Sequence, residues 1–230
     1  MYFQHSPTLW NDFPQLTAAA LCLDNVHPAA EVGPDVEHFF SLARARQQRS
    51  GEGEMPEIAA WRRTFSQMNL KPTQYRCAAE SLLRRFRQDG DLPRFHPLVD
   101  LCNAVSLAYA TPIAVFDVAC VAGGLEVRYS TGEEEYLAFS DEVERPHAGE
   151  VVFADELGKA HARRWTYRQS KRSVVSNGTA RVLIVIEAFH AEAPRDVQAL
   201  VDNLGRALTR AWAAPEKSAR LTASQPRLDF

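Results

Sequence analysis

The sequence predicts an α+β fold, with helices in the N-terminal half, a strand-rich middle and one C-terminal helix. Three observations predict it. Apolar residues recur at helical spacing from Asp35 to about Ala108, alternate in short runs from Pro112 onward, and return to helical spacing after Pro194. Turn dipeptides punctuate the strand-rich part at Gly123-Gly124, Thr131-Gly132 and Asn177-Gly178. With 230 residues, 46% apolar and 24% charged, the chain is long enough to bury one substantial core. A single domain is expected over residues 1–213, followed by a polar, loosely ordered tail over 214–230.

The elements follow in order. Leu16 to Asp24 (LTAAALCLD) is a buried strand, and Pro28 to Pro34 a loop. Val36, Phe39, Phe40 and Ala43 make one face of a helix over Asp35–Gln48. Ser50 to Glu54 is expected to be flexible. Pro56 opens a helix carrying Ile58, Trp61, Phe65 and Met68 on one face. Thr73 is expected to cap the next helix, with Tyr75, Ala78, Ala79, Leu82, Leu83 and Phe86 as its apolar stripe and Gly90 at its end. Pro97 starts another helix that runs to about Ala108.

Strands are then expected at Pro112–Val118, Leu125–Ser130, Glu134–Phe139 and Val151–Phe153. Trp165–Val175 and Ala180–Ala188 should form a hairpin around Asn177-Gly178. Val197, Leu200, Val201, Leu204 and Leu208 mark the closing helix.

The net charge is −3, but it is laid out in blocks. Residues 1–40 hold five acids and no Lys or Arg. Residues 41–94 hold eleven basic and six acidic residues; residues 95–156 hold two basic and twelve acidic. Residues 157–186 hold seven basic and none acidic. Either the blocks neutralise one another across the fold, or an arginine-bearing side faces a polyanion. A uniformly basic DNA binder is not expected at a pI of 6.2.

No apolar run is long enough for a membrane span, and Met1 to Pro14 has no secretory h-region. Four dispersed cysteines without a C-x-x-C pair suit a reducing cytoplasm better than a disulfide framework or zinc site. The seven histidines never recur at metal spacing, so neither metal nor cofactor is expected. A G-x-S-x-G elbow, a Walker loop and H-E-x-x-H are all absent. What remains is polar residues inside apolar elements: Asp100 and Asn103 in a helix, Arg168-Gln169-Ser170 after Trp165 and Tyr167, and Glu187 ending VLIVI. Each is a structural hydrogen-bonding group or a functional one.

Leu92 to Asp117, LPRFHPLVDLCNAVSLAYATPIAVFD, resembles a segment of the phenylalanyl-tRNA synthetase beta subunit that reads roughly R-P-I-x-N-x-V-D-V-T-N-Y-x-x-L-x-x-G-Q-P-x-H-A-F-D. His96-Pro97, Asn103, Thr111-Pro112 and Phe116-Asp117 carry the match. GGLEVRYSTGEEEYLAF is similar to G-x-x-V-R-x-A-x-x-G-E-x-x-x-x-L of that family. Gln169 to Ala188 is similar to its G-G-x-x-S-x-V … T-x-N-V-L-L-E-x-A stretch, through Ser173, Val175, Thr179, Val182 and Leu183. The chain departs from the family at Ala114, where the pattern has histidine, and at Gln169-Ser170-Lys171, where it has G-G-E.

The resemblance is to the B3/B4 editing domain, and more widely to free-standing B3/B4 proteins. It implies a cleft between β-layers for the aminoacylated 3′ end of a tRNA, and hydrolysis of a mischarged ester in trans. In that reading Gln169, Asn103 and Glu187 are catalytic, and Arg168, Ser170, Thr179 and Pro112 bind substrate. Arg84, Arg85, Arg87, Arg163 and Arg164 contact phosphates, and DNA and membrane are not partners. Two alternatives stay open: a module that binds RNA or an amino-acid-like ligand without turnover, and a small-molecule amide or ester hydrolase.

Overall fold

The computed structural model describes residues 1–230. Two sheets share one core. The larger contains β1 (Tyr2–His5), β4 (Gly124–Tyr129), β5 (Glu135–Leu137), β6 (Val143–Glu144), β7 (Val151–Asp155), β8 (Lys159–Arg163), β9 (Arg168–Gln169) and β12 (Arg227–Asp229). Its order is β12-β1-β4-β7-β8-β5-β6, with β9 also paired to β8. The smaller sheet has the order β11-β2-β10-β3, built from β2 (Thr17–Leu23), β3 (Ile113–Asp117), β10 (Val182–Ala188) and β11 (Lys217–Leu221). Every residue of β2 and β10 is buried, as an apolar run enclosed on both faces requires.

Six helices complete the fold: α1 (Pro7–Asp12), α2 (Gly33–Gln47), α3 (Pro56–Gln67), α4 (Ala78–Asp89), α5 (Pro97–Tyr109) and α6 (Ala193–Ala211). Four of the five longer ones carry proline in the first turn, where no N–H is missed. Gly90 takes a left-handed φ of 76° and ends α4 with its N–H on the Phe86 carbonyl. No helix is long and apolar enough to cross a membrane. All four cysteines are free.

The structure corrects several sequence expectations. Residues 214–230 are not a loose tail: Lys217–Leu221 pairs with β2 and Arg227–Asp229 with β1. Backbone pairing holds this segment, which a side-chain pattern does not reveal. The stretch Ser50–Glu54 is not free either. It forms a tight helical turn over Glu52–Glu54, and buried Glu52 takes ion pairs from Arg84 and Arg87. α4 begins at Ala78 and not after Thr73, because Tyr75 is drawn away to pack edge-on against Tyr167 beneath the Arg164 guanidinium.

The expected hairpin of Trp165–Val175 with Ala180–Ala188 does not form. A strand unseen in the sequence, Lys159–Arg163, pairs with Arg168–Gln169 instead, and residues 164–167 make the turn. Arg164 and Trp165 both adopt left-handed φ, 47° and 57°. For a bulky residue that costs about 1–3 kcal/mol, and it requires contacts that hold the ring in place.

The charge blocks largely neutralise each other. Lys159 pairs with Glu135, Arg163 with Glu144 and Glu150, Arg164 with Glu150, and Lys171 with Asp141. Within the acidic block, buried Glu134 accepts from Ser130, Arg128 and the Thr131 backbone. Burial pushes its pKa up, but these donors outweigh burial and hold the carboxyl at about 2, against 4.5 for a free one. Because the folded-state value lies below the unfolded one, its stabilisation is complete above pH ~4.5 and is lost as pH falls toward ~2. Glu134→Gln should therefore remove about 3 kcal/mol of stability at pH 7. It should also flatten the acid limb of a urea-monitored stability profile between those two values.

Candidate functional site

The site lies where the two sheets meet. β3 is an edge strand of the smaller sheet, and β9 is a short strand at the margin of the larger. Gln169 on β9 joins them: its side-chain Nε2 donates to the Val115 carbonyl on β3 at 2.7 Å, and its own carbonyl accepts from Tyr136. One side of this link is an apolar cavity of about 320 Å³, bounded by α5, β3, β9 and the segment after β9. Val99, Cys102, Ile113, Val115, Val174 and Val175 line it, and Asn103 and Gln169 are its only polar groups besides the Cys102 thiol. Burial pushes that thiol up to about 12, so it is no thiolate at neutral pH. Phe95 and Phe139 also line the cavity yet are 72% and 65% exposed, which places them at its rim.

On the other side of Gln169 is a smaller cavity of about 70 Å³, reached by Pro112, Ala114, Trp165, Arg168 and Glu187. Ile186 stands opposite Ile113 in the β10–β3 register, so the next step sets Pro112 opposite Glu187. Proline has no N–H to give to the ladder, and the sheet opens there. Glu187 is 2% exposed. Its Oε1 lies 2.6 Å from His5 Nε2 and accepts from Trp165 Nε1 at 2.8 Å.

The structure thus brings Asn103, Gln169, Glu187, Arg168 and Pro112 around one seam, with Gln169 common to both cavities. Arg168 is exposed and has no carboxylate partner; its guanidinium lies 5.2 Å from the centre of the Tyr167 ring. Ser170 and Thr179 are not there. Ser170 is wholly buried, donates to the Leu137 carbonyl and caps the following turn through the Arg172 N–H. Thr179 donates to Asp117 at 2.7 Å and accepts from the Ser176 N–H. Both stabilise the local chain path and have no free face for a substrate. Asp100 is likewise structural, accepting from the Phe95 N–H.

The arginines divide in the same way. Arg163 is 4% exposed, and its three guanidinium nitrogens are taken by Glu144 and Glu150, so it is not a phosphate contact. Arg164 leans on Glu150 and packs between Tyr75 and Tyr167. Arg84, Arg85 and Arg87 keep about half of their side-chain surface open on α4 while pairing with Glu52 or Asp89. They sit on the second half of a helix whose first residue, Ala78, lines the smaller cavity.

A family model described as the B3/4 domain matches residues 60–202, a span that contains every residue of the seam except His5. The chain belongs to the B3/4 domain family. The phenylalanine–tRNA ligase beta subunit of Cereibacter sphaeroides is 33% identical over 75 residues, which are 33% of this chain and 9% of that protein. The chain therefore matches a small part of its curated relative. An N-terminal fragment of the phenylalanyl-tRNA synthetase beta subunit from Pyrococcus horikoshii is similar in structure at 10% identity and a TM-score of 0.46, covering 91% of this chain and 48% of that one.

Within this B3/4 domain, one further constellation has the look of a hydrolytic triad. His161 Nδ1 lies 2.9 Å from Ser173 Oγ, and Nε2 lies 3.2 Å from Asp155 Oδ2. Burial lowers the His161 pKa, and Asp155 only partly offsets it. Ser173 and His161 are wholly buried and line neither cavity of the seam. Their bond fixes the turn that sends Val174 and Val175 into the cavity wall, and it offers no nucleophile to a substrate. The sequence reading missed Phe95 and Phe139, whose signal was an aromatic ring standing among polar loop residues. It also missed His5, whose pairing with Glu187 across 182 positions leaves no sequence signal.

Glu187→Ala should destabilise the B3/4 domain by about 3–5 kcal/mol, because two buried N–H groups lose their acceptor. Urea unfolding followed by tryptophan fluorescence measures this. A loss below about 1 kcal/mol would show that the two rings find other partners.

Proposed function

We propose that this B3/4 domain binds the aminoacylated 3′ end of a tRNA at the seam and hydrolyses a mischarged ester in trans. The observation that carries the reading is the cavity at Gln169. It is large enough to admit any amino-acid side chain and has an apolar lining with two amides, Asn103 and Gln169. The substrate class comes from the matched relative, a phenylalanine–tRNA ligase subunit. The apolar lining suits an apolar or aromatic aminoacyl side chain, with the Asn103 amide as a polar contact. The exposed rings of Phe95 and Phe139 offer a rim on which a terminal base stacks. Arg168 has no acidic partner, which supports a role in meeting a phosphate.

An aminoacyl ester is already activated, so the chemistry needs a positioned water and a donor for the developing oxyanion. Water adds to the ester carbonyl and gives up one proton to solvent, and the carbonyl oxygen takes the negative charge. Collapse then expels the ribose oxygen, which recovers a proton from solvent. Gln169 has one N–H committed to Val115; the second N–H and the amide oxygen remain for the oxyanion or the attacking water. Glu187 at the smaller cavity provides the negative end for an α-ammonium group. This work belongs in the cytoplasm, where charged tRNA is held.

A second reading has its own support. The apolar cavity contains no histidine or carboxylate to act as general base, as in a module that binds an aminoacyl end without turnover.

Incubation with a panel of mischarged aminoacyl-tRNAs tests both. Hydrolysis is expected for at least one. Gln169→Ala and Asn103→Ala should each lower its rate about ten- to a thousandfold, with circular dichroism unchanged. Arg168→Ala should weaken tRNA binding and flatten its salt dependence, while Arg163→Ala should lower stability instead. Salt-sensitive tRNA binding without hydrolysis would establish the binding module. Absence of both would overturn the assignment.

A further inference from the structure

Away from the seam, three elements bring a histidine and two carboxylates together. Glu57 lies in the first turn of α3, His190 just beyond β10, and Asp196 in the first turn of α6. One donor atom from each lies within 4.8 Å of the other two. Glu57 is 7% and His190 6% exposed. Each carboxylate has one oxygen held by an arginine: Arg46 Nη2 donates to Glu57 Oε1 at 2.7 Å, and Arg195 Nε to Asp196 Oδ1 at 3.0 Å. Asp196 Oδ2, the other oxygen, lies 3.0 Å from His190 Nε2. Glu57 Oε2 and His190 Nδ1 are buried with no hydrogen-bond partner at all. Such atoms are rare in a well-packed interior and call for an explanation.

We propose that Glu57, His190 and Asp196 bind a divalent transition-metal cation, with Zn²⁺ the best match. One imidazole and two carboxylates form a mixed nitrogen and oxygen set that suits zinc, and manganese less well. Zinc bonds of about 2.0–2.2 Å span this spread after a small closure of the side chains. Water takes the fourth position. Arg46 and Arg195 remain behind the carboxylates and orient them, as groups behind metal ligands commonly do. Asp196 is partly open to solvent and gives the ion its entry.

The other cluster with metal-ligating residues, Cys22, Asp24 and Glu216, is of a different kind. Arg181 fills it, 2.9 Å from Asp24 and 2.7 Å from Glu216.

The bound ion ties the starts of α3 and α6 to the end of β10. Phe189, next to His190, packs against Trp61 and Trp165. The ion therefore stiffens the aromatic cluster that holds Trp165 against Glu187, and acts as a structural staple.

The test uses the full chain after chelator treatment, titrated separately with Zn²⁺ and Mn²⁺ by calorimetry and followed by thermal unfolding. One equivalent of Zn²⁺ should bind more tightly than Mn²⁺ and raise Tm by several degrees when in large excess over Kd. His190→Gln and Asp196→Asn should each weaken binding at least tenfold and remove the Tm rise. Asp24→Asn should change neither. Asp196 is partly exposed and asparagine keeps an acceptor for His190, so that variant decides the matter if His190→Gln does not fold. Failure of Zn²⁺ to bind, binding unaffected by Asp196→Asn, or binding lost in Asp24→Asn would each overturn the proposal.

Discussion

One buried carboxylate oxygen ties the two sheets together. Glu187 belongs to β10 of the smaller sheet; His5 closes β1 of the larger; Trp165 sits in the turn between β8 and β9. Both rings converge on Oε1 of Glu187. The left-handed backbone at Arg164 and Trp165 persists because the indole is held there, packed edge-on by Phe13, Trp61 and Phe189 as well. That turn sets where β9 runs, and β9 carries Gln169 to its bond with β3. The α4 start depends on the same turn, through the Ala78 N–H on the Thr166 carbonyl. The seam thus follows from one carboxyl group, buried and hydrogen-bonded by neighbours from distant parts of the chain.

The distribution of charge shows why sequence blocks are poor guides to surfaces. The basic run after residue 157 and the acidic run before it fold beside one another on the larger sheet and its loops, so four of the seven basic residues pair with acids of that run. Arg168 escapes because it lies at the β9 margin of the sheet, where its side chain rests on Tyr167. A polyanion would therefore meet a few unpaired cations near a cavity rather than a broad basic face. Desolvation and pairing together decide which arginines are available, and neither can be counted along a sequence.

The site was legible in part. Asn103, Gln169, Glu187, Arg168 and Pro112 were singled out as polar or chain-breaking residues in apolar contexts or family-like motifs, and they meet at one seam. Ser170 and Thr179 carried the same kind of signal and proved to be internal hydrogen-bonding groups. A hydroxyl beside a turn looks alike in sequence whether it serves the backbone or a ligand. Arg163 failed for a related reason, since its acidic partners lie 13 and 19 positions away, just before β7 and on β6.

Local pattern determined the helices from α2 to α6, the strands β2, β3, β4, β7 and β10, and the α+β class, because apolar period and first-turn prolines act within a few residues. Motif order pointed to the B3/4 family. Tertiary structure alone decided the β8–β9 turn, the delayed start of α4, the pairing of residues 214–230, and which polar side chains face a cavity. Each of those outcomes rests on a partner far away in the chain. The energy of a buried hydrogen bond or a stacked ring depends on that partner's position, which a linear pattern does not contain.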